Sequence, residues 1–399
     1  MANEWQALGT RLRAAREDAG LTQDEVAEYL SVSRPSVSQF ESGRNRVDSL
    51  TLRRLATLYH RPMESFFHEQ EAGPTIEDRV FETVGHLGVQ DRATLAQFLE
   101  FCGNVGFLRR LLGKAPRPAV PARPIRPRAR KYAAEALAVE ERGLLGLGQA
   151  PIGEALFDLL EAIGIPVYRS PMEDSRVSGL LVNHPDVGPV IFVNSRQYRW
   201  RQVFTAAHEY GHFLVHRTEQ PVACRIFSGE RQRGEGTGEE FVNAFASQFL
   251  MPAEGIKQGL VEMGAGSQKL GVEDIVRLQR RFGVSFQAML YRLLRLRLVS
   301  EADAEALKSG ARPVSMAWHL GYPIEPDEFG ETDEDDFDLA KKFPREFISL
   351  VLEAFERGEI SNGRAAEMFE LNRGAFDRFY RLLSHAKAPE EEGLENVVV

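Results

Sequence analysis

The residues best suited to chemistry lie in FTAAHEYGHFLVHR, positions 204–217. On a helix, His208 and His212 stand four residues apart, so both imidazoles project from one face and can bite a single metal ion. Glu209 is displaced around the helix from His208, where its carboxylate meets a water at the metal rather than the metal itself. A structural zinc site takes four protein ligands, whereas a catalytic one takes three plus water and a base to receive the proton. The spacing therefore points to Zn2+ as cofactor with Glu209 as general base. Phe204, Ala207, Phe213 and Leu214 flank the motif and would bury the helix around a polar stripe, which is costly unless the histidines are engaged.

The third ligand has to come from another element. GEEFVNAFASQFLMP, positions 238–252, offers Glu239 and Glu240, with Asn243 on the face of Glu239 and apolar Phe245, Phe249 and Leu250 around them. HExxH followed by a helix ending in LMP resembles the ImmA/IrrE metallopeptidase family, a gluzincin type, over about residues 150–255. The resemblance implies Glu239 as third zinc ligand and Glu209 as catalytic base, with Glu240 one position away as the competing ligand. Family members commonly carry Leu or Ile where this chain has Tyr210, on the helix side away from the metal. His216 lies a turn beyond His212 and reads as an outer or exposed group. Tyr198, Arg201 and His216 are the candidates for steadying an oxyanion. The implied activity is that of a zinc metalloendopeptidase cleaving a protein substrate, a repressor or antitoxin-like regulator in a stress or mobile-element response. The alternative is a transcriptional regulator whose zinc domain is a non-catalytic sensor or partner-binding module.

A second constellation sits near the N-terminus. Thr22 and Glu25 form a capping box ahead of TQDEVAEYL, and Ser33 caps a short helix that Gly43 stops. Ala27, Leu30, Val37 and Phe40 are spaced to pack the two helices together. Arg34, Pro35, Ser36 and Gln39 are left pointing outward, where a major-groove helix needs short or bidentate polar groups. LRAAREDAGLTQDEVAEYLSVSRPSVSQFESG resembles the XRE (Cro/lambda-repressor) helix-turn-helix family over roughly the first 67 residues. The resemblance implies double-stranded DNA as partner, Gln23 anchoring a phosphate, and Arg34 and Gln39 meeting base edges. Residues 1–67 carry nine basic and nine acidic side chains, so electrostatic affinity should be modest. DNA binding then calls for a homodimer or for help from a basic linker.

The elements that must position these groups follow from pattern. After an expected helix GEALFDLLEAIG come three β-like runs, Ile165–Arg169, Val177–Val182 and Pro189–Val193, separated by turn residues. Helices are expected over Tyr198–His216 and Gly238–Leu250. The fold class is multidomain and mainly α: an all-α helix-turn-helix bundle (1–68), a helical connector (75–112), a Pro/Arg-rich linker (113–130), an α+β zincin-like domain with a small sheet packed on the HExxH helix (131–300), and an acidic loop with a helical C-terminal region (301–399). In the connector, Leu95, Phe98, Leu99, Cys102, Val105 and Leu108 recur at helical spacing, as either a packing stripe or a dimer contact. GEISNGRAAEMFELNRGAFDRF has the rhythm of a second helix-turn-helix, with Ala365, Ala366, Phe369, Leu371 and Phe376 as core; a small helical bundle shares that pattern without touching DNA.

Bulk properties narrow the classes. An apolar share of 43% and a charged share of 27% are those of a globular chain, which excludes a disordered or membrane protein. No apolar run has the length of a membrane span, and the charged N-terminus is not a signal peptide. Cys102 and Cys224 lack metal-ligand spacing and exclude a disulfide framework, so a cytoplasmic setting is expected. The net charge of −9 is segregated: residues 114–131 hold seven bases and no acid, and residues 325–338 nine acids and no base.

Overall fold

The computed structural model describes residues 2–59, 61, 63–67, 76–85, 87–114, 130–215, 222–224, 237–265, 269–324 and 339–385. The proline-rich linker at 115–129, the acidic run at 325–338 and His216 lie outside them.

The chain opens with a helical bundle, α1 (Ala2–Asp18), α2 (Gln23–Leu30), α3 (Arg34–Glu41) and α4 (Ser49–Tyr59), followed by a 3-10 turn at Met63–Phe66. The capping box forms as the sequence indicates: Thr22 Oγ1 accepts from the Glu25 amide at 3.3 Å while Glu25 Oε2 accepts from the Thr22 amide at 2.7 Å. Ser31 takes the left-handed conformation (φ 57°) that turns the chain, and Ser33 Oγ caps α3 by accepting from the Ser36 amide at 3.3 Å. Leu12, Val26, Val37, Leu52 and Leu58 close the core. Beneath it Arg16 pairs with Glu41 at 2.6 Å, both side chains being buried.

Two helices follow, α5 (Ile76–Val84) and α6 (Val89–Leu111), and then α7 (Arg130–Leu144) and α8 (Ala155–Ala162). The sheet comprises β1 (Val167–Ser170), β2 (Gly179–His184), β3 (Gly188–Asn194) and β4 (Val222–Cys224), in the order β1-β3-β2-β4. β1 runs parallel to β3, and β2 is antiparallel to both β3 and β4. β4 has no counterpart among the runs expected from sequence. It pairs with β2 over Gly179–Leu181. Between β3 and β4 lies α9 (Arg199–Val215); after β4 come α10 (Thr237–Leu250), α11 (Ala253–Glu262), α12 (Val272–Phe282), α13 (Phe286–Arg295), α14 (Glu301–Gly310) and α15 (Pro313–His319). The C-terminal helices are α16 (Leu339–Lys342), α17 (Arg345–Glu356), α18 (Asn362–Met368) and α19 (Arg373–His385).

The sheet is buried on both faces, which explains why its strands read as continuous apolar runs rather than alternating ones. Val167, Leu181, Ile191 and Val193 join a core with Val203, Ala206 and Tyr210 of α9 and Phe245 and Phe249 of α10. Tyr168, Leu180, Val182, Val190 and Phe192 face the other way, into a second core built from α6 and the C-terminal helices. There Phe101 packs edge-on against Phe347 with ring centres 4.9 Å apart, and Phe98 meets Phe192 at 5.5 Å. The stripe from Leu95 to Leu108 faces into the chain.

 

Leu95, Phe98, Leu99, Cys102, Val105 and Leu108 are each at most 5% exposed inside the chain. The packing reading of this helix holds, and a dimer contact through that stripe is ruled out. Among the described residues no helix is long and apolar enough to cross a membrane.

Candidate metal centre and nucleic-acid interface

From Gln202 to Leu214, nearly every residue of α9 is buried, Thr205, His208, Glu209 and His212 included. Such a helix is stable only if its polar groups converge on partners. Gly211 sets how closely α10 approaches, because a Cβ there would stand 2.9 Å from Phe245 Cδ1 and 3.3 Å from Val242 Cβ. That approach carries Glu239, in the first turn of α10, over the histidines. Its Oε2 lies 3.3 Å from His208 Nε2 and its Oε1 3.2 Å from His212 Nε2, while the two Nε2 atoms are 3.1 Å apart. Glu240 is exposed on the outer side of α10.

Asn243, one turn after Glu239, fixes the state of the first imidazole. Its Oδ1 accepts from His208 Nδ1 at 3.0 Å, which leaves the Nε2 lone pair turned toward His212 and Glu239. Burial lowers the pKa of His212 despite the neighbouring carboxylate. The imidazoles of His208 and His212 beside it hold the Glu239 carboxyl well below the usual range. Two imidazoles and a carboxylate turned inward on one another are unfavourable unless a cation lies among them. Tetrahedral ligands at about 2.0–2.2 Å from an ion stand about 3.3–3.6 Å from each other, close to the spacings seen here. The three groups therefore fit a divalent metal.

Glu209 is fully buried on the neighbouring side of α9. A Cβ at residue 179 would lie 2.8 Å from Glu209 Oε1 and 2.4 Å from Thr205 Cγ2. Gly179, the first residue of β2, thus leaves the space this carboxylate occupies. The signal in the sequence is a lone glycine at a strand start, which marks a close approach. Tyr210 turns away from His208 and His212 and donates to Glu141 Oε2 of α7 at 2.8 Å. Of the oxyanion candidates, Tyr198 is exposed, and Arg201 donates to Gln197 Oε1 at 3.1 Å and to Ser178 Oγ at 3.3 Å, next to Gly179. His216 lies outside the described residues.

On the N-terminal bundle, Arg34, Pro35 and Gln39 are exposed on α3, and Ser38 shares their face. Arg34 Nε lies 3.6 Å from Asp24, with both side chains in solvent. Gln39 Oε1 accepts from Asn45 Nδ2 at 2.6 Å. Ser36 Oγ instead lies 2.8 Å from Ser33 Oγ, within the cap. Gln23 Nε2 donates to Glu41 Oε2 at 2.8 Å and so leans on the Arg16–Glu41 pair.

Residues 160–294 match the family model of the IrrE N-terminal-like domain, and residues 7–64 match that of a helix-turn-helix domain. Over 54 residues the chain is 41% identical to the HTH-type transcriptional regulator ImmR of Bacillus subtilis (strain 168), a match covering 14% of this chain and 42% of that protein. The chain thus spans less than half the length of that curated relative. The crystal structure of ComR from Streptococcus suis aligns over 95% of this chain and 96% of that one, at 10% identity and a TM-score of 0.16, a likeness too low to carry an argument. Residues 7–64 are thus similar to a helix-turn-helix domain and residues 160–294 to an IrrE N-terminal-like domain.

Proposed function

We propose that the chain is a DNA-binding regulator whose IrrE-like domain is a zinc metalloendopeptidase. The observation that carries this reading is the convergence of buried His208 and His212 with half-buried Glu239, and buried Glu209 beside them. Zinc, when bound by those three side chains, supplies Lewis acidity toward a substrate carbonyl and makes water a better acid. Glu209 takes the proton of the attacking water as its oxygen bonds to the carbonyl carbon. Glu209 then returns that proton to the amine nitrogen as the C–N bond breaks. Asn243 keeps the His208 ring in the tautomer that offers Nε2, and Gly179 keeps the Glu209 pocket open. Arg34 and Gln39 of α3 read double-stranded DNA, and the substrate is a repressor or antitoxin-like protein of a stress or mobile-element response.

The test is substrate trapping. Full-length Glu209→Gln protein should retain a partner that the wild type releases as two fragments, and peptide mapping would locate the cut. If no protein is trapped and the variant regulates its target promoter as the wild type does, the domain is a non-catalytic sensor instead.

A further inference from the structure

The C-terminal helices repeat the N-terminal reading unit landmark by landmark. Thr22 caps α2 by accepting from the Glu25 amide, and Ser361 caps α18 by accepting from the Arg364 amide at 3.2 Å. The shift from Thr22 to Ser361 also carries Ser31 onto Glu370, both left-handed with φ of 57° and 58°. It carries Ser33 onto Asn372, whose Oδ1 accepts from the Ala375 amide at 2.9 Å where Ser33 Oγ accepts from Ser36. The turn's own hydrogen bonds coincide at this shift. Ser31 N donates to Glu28 O and Val32 N to Ala27 O; Glu370 N donates to Glu367 O and Leu371 N to Ala366 O. Buried Val37, which locks α3 onto α2, falls on buried Phe376.

A three-helix bundle of arbitrary kind has no reason to keep a capped first helix, a left-handed turn residue and a capped second helix at one common spacing. The geometry points to α17–α19 as a second double-stranded-DNA-reading unit, with α19 entering the major groove. The inference rests on the DNA-binding reading of residues 7–64. Under the same shift, Gln39 falls on Arg378 and Ser42 on Arg381, both exposed. Ser38, on the same face, falls on exposed Asp377, so the second face gains two cations and one acid over the first, a net positive change that suits phosphate and guanine contacts.

The experiment uses the full-length protein and a duplex selected by the wild type from random sequence, with footprinting and a salt titration of affinity. Arg378→Ala/Arg381→Ala alters exposed side chains only, and circular dichroism checks that the fold persists. This variant should lose one segment of the footprint and show a salt slope shallower by about 2, one counterion per lost phosphate contact. Arg34→Ala/Gln39→Ala should lose a different segment. If the α19 variant keeps the wild-type footprint and slope while the α3 variant loses its contacts, the second unit does not read DNA and the first still does. If the wild type selects no duplex, both readings fall.

Discussion

α3 and α9 are helices of opposite design. α3 buries Val37 and Glu41 and turns Arg34, Pro35, Ser38 and Gln39 to solvent. α9 buries its polar groups, His208, Glu209 and His212, and spends the surrounding apolar surface on holding them still. The groups proposed to read DNA on the first helix stand in solvent, so they cost little to change. In the second, the working groups belong to the core, so chemistry and stability share the same residues.

The largest effects should follow from the buried centre. His208→Ala or Glu239→Ala removes one of three converging ligands and should abolish both zinc content and cleavage. Glu240→Ala, on the exposed side of α10, should keep both; elemental analysis of chelator-free protein, with one zinc per chain expected for the wild type, reads the difference. Zinc lost from Glu240→Ala and kept in Glu239→Ala would move the ligand by one position.

Next comes the support beneath the reading helix. Glu41→Ala leaves the buried Arg16 guanidinium without its carboxylate and should destabilise the N-terminal bundle by about 3–5 kcal/mol. Chemical denaturation followed through Trp5 should show it, while zinc content stays unchanged. A loss below about 1 kcal/mol would mean that solvent replaces the carboxylate readily.

Gly179→Ala forces a methyl group into the space beside Glu209 Oε1 and Thr205 Cγ2, at a cost of about 1–3 kcal/mol. Cleavage should fall more than zinc occupancy does, since the ligands stand on other elements. Equal loss of metal and activity would show that β2 supports the ligands as well.

The smallest effect on stability belongs to Arg34→Ala, within about 0.5 kcal/mol, because its ion pair with Asp24 is solvent-exposed. Affinity for the cognate duplex should nevertheless drop by about 1–3 kcal/mol if Arg34 makes a bidentate base contact. Undiminished affinity in mobility shifts would remove Arg34 from the reading face.

The two regions also differed in how much of them could be read beforehand. The helix-turn-helix is local: Thr22, Glu25 and Ser33 bond within three or four residues, so caps and turn are legible from composition and spacing. The His208–His212 pair is local for the same reason. Glu239 is not, since choosing it over Glu240 depends on the rotation of α10 against α9, which Gly211 and Phe245 determine from two different segments. Gly179 and Asn243 gain their roles only when β2 and α10 meet α9. β4 is three residues long and forms on the edge that β2 offers, so its own sequence carries little strand signal. The burial of α6 between the sheet and the C-terminal helices likewise depends on contacts more than two hundred positions away, such as Arg109 with Glu346 at 2.9 Å.

The most direct measurement compares wild-type and Glu209→Gln protein at matched zinc occupancy, following cleavage of the trapped partner over a single turnover. Loss of the base should slow cleavage by about 10²–10⁴-fold while zinc content and thermal stability stay near wild type. Cleavage by Glu209→Gln at the wild-type rate would contradict the assignment of Glu209 and, with it, the peptidase reading of the buried centre.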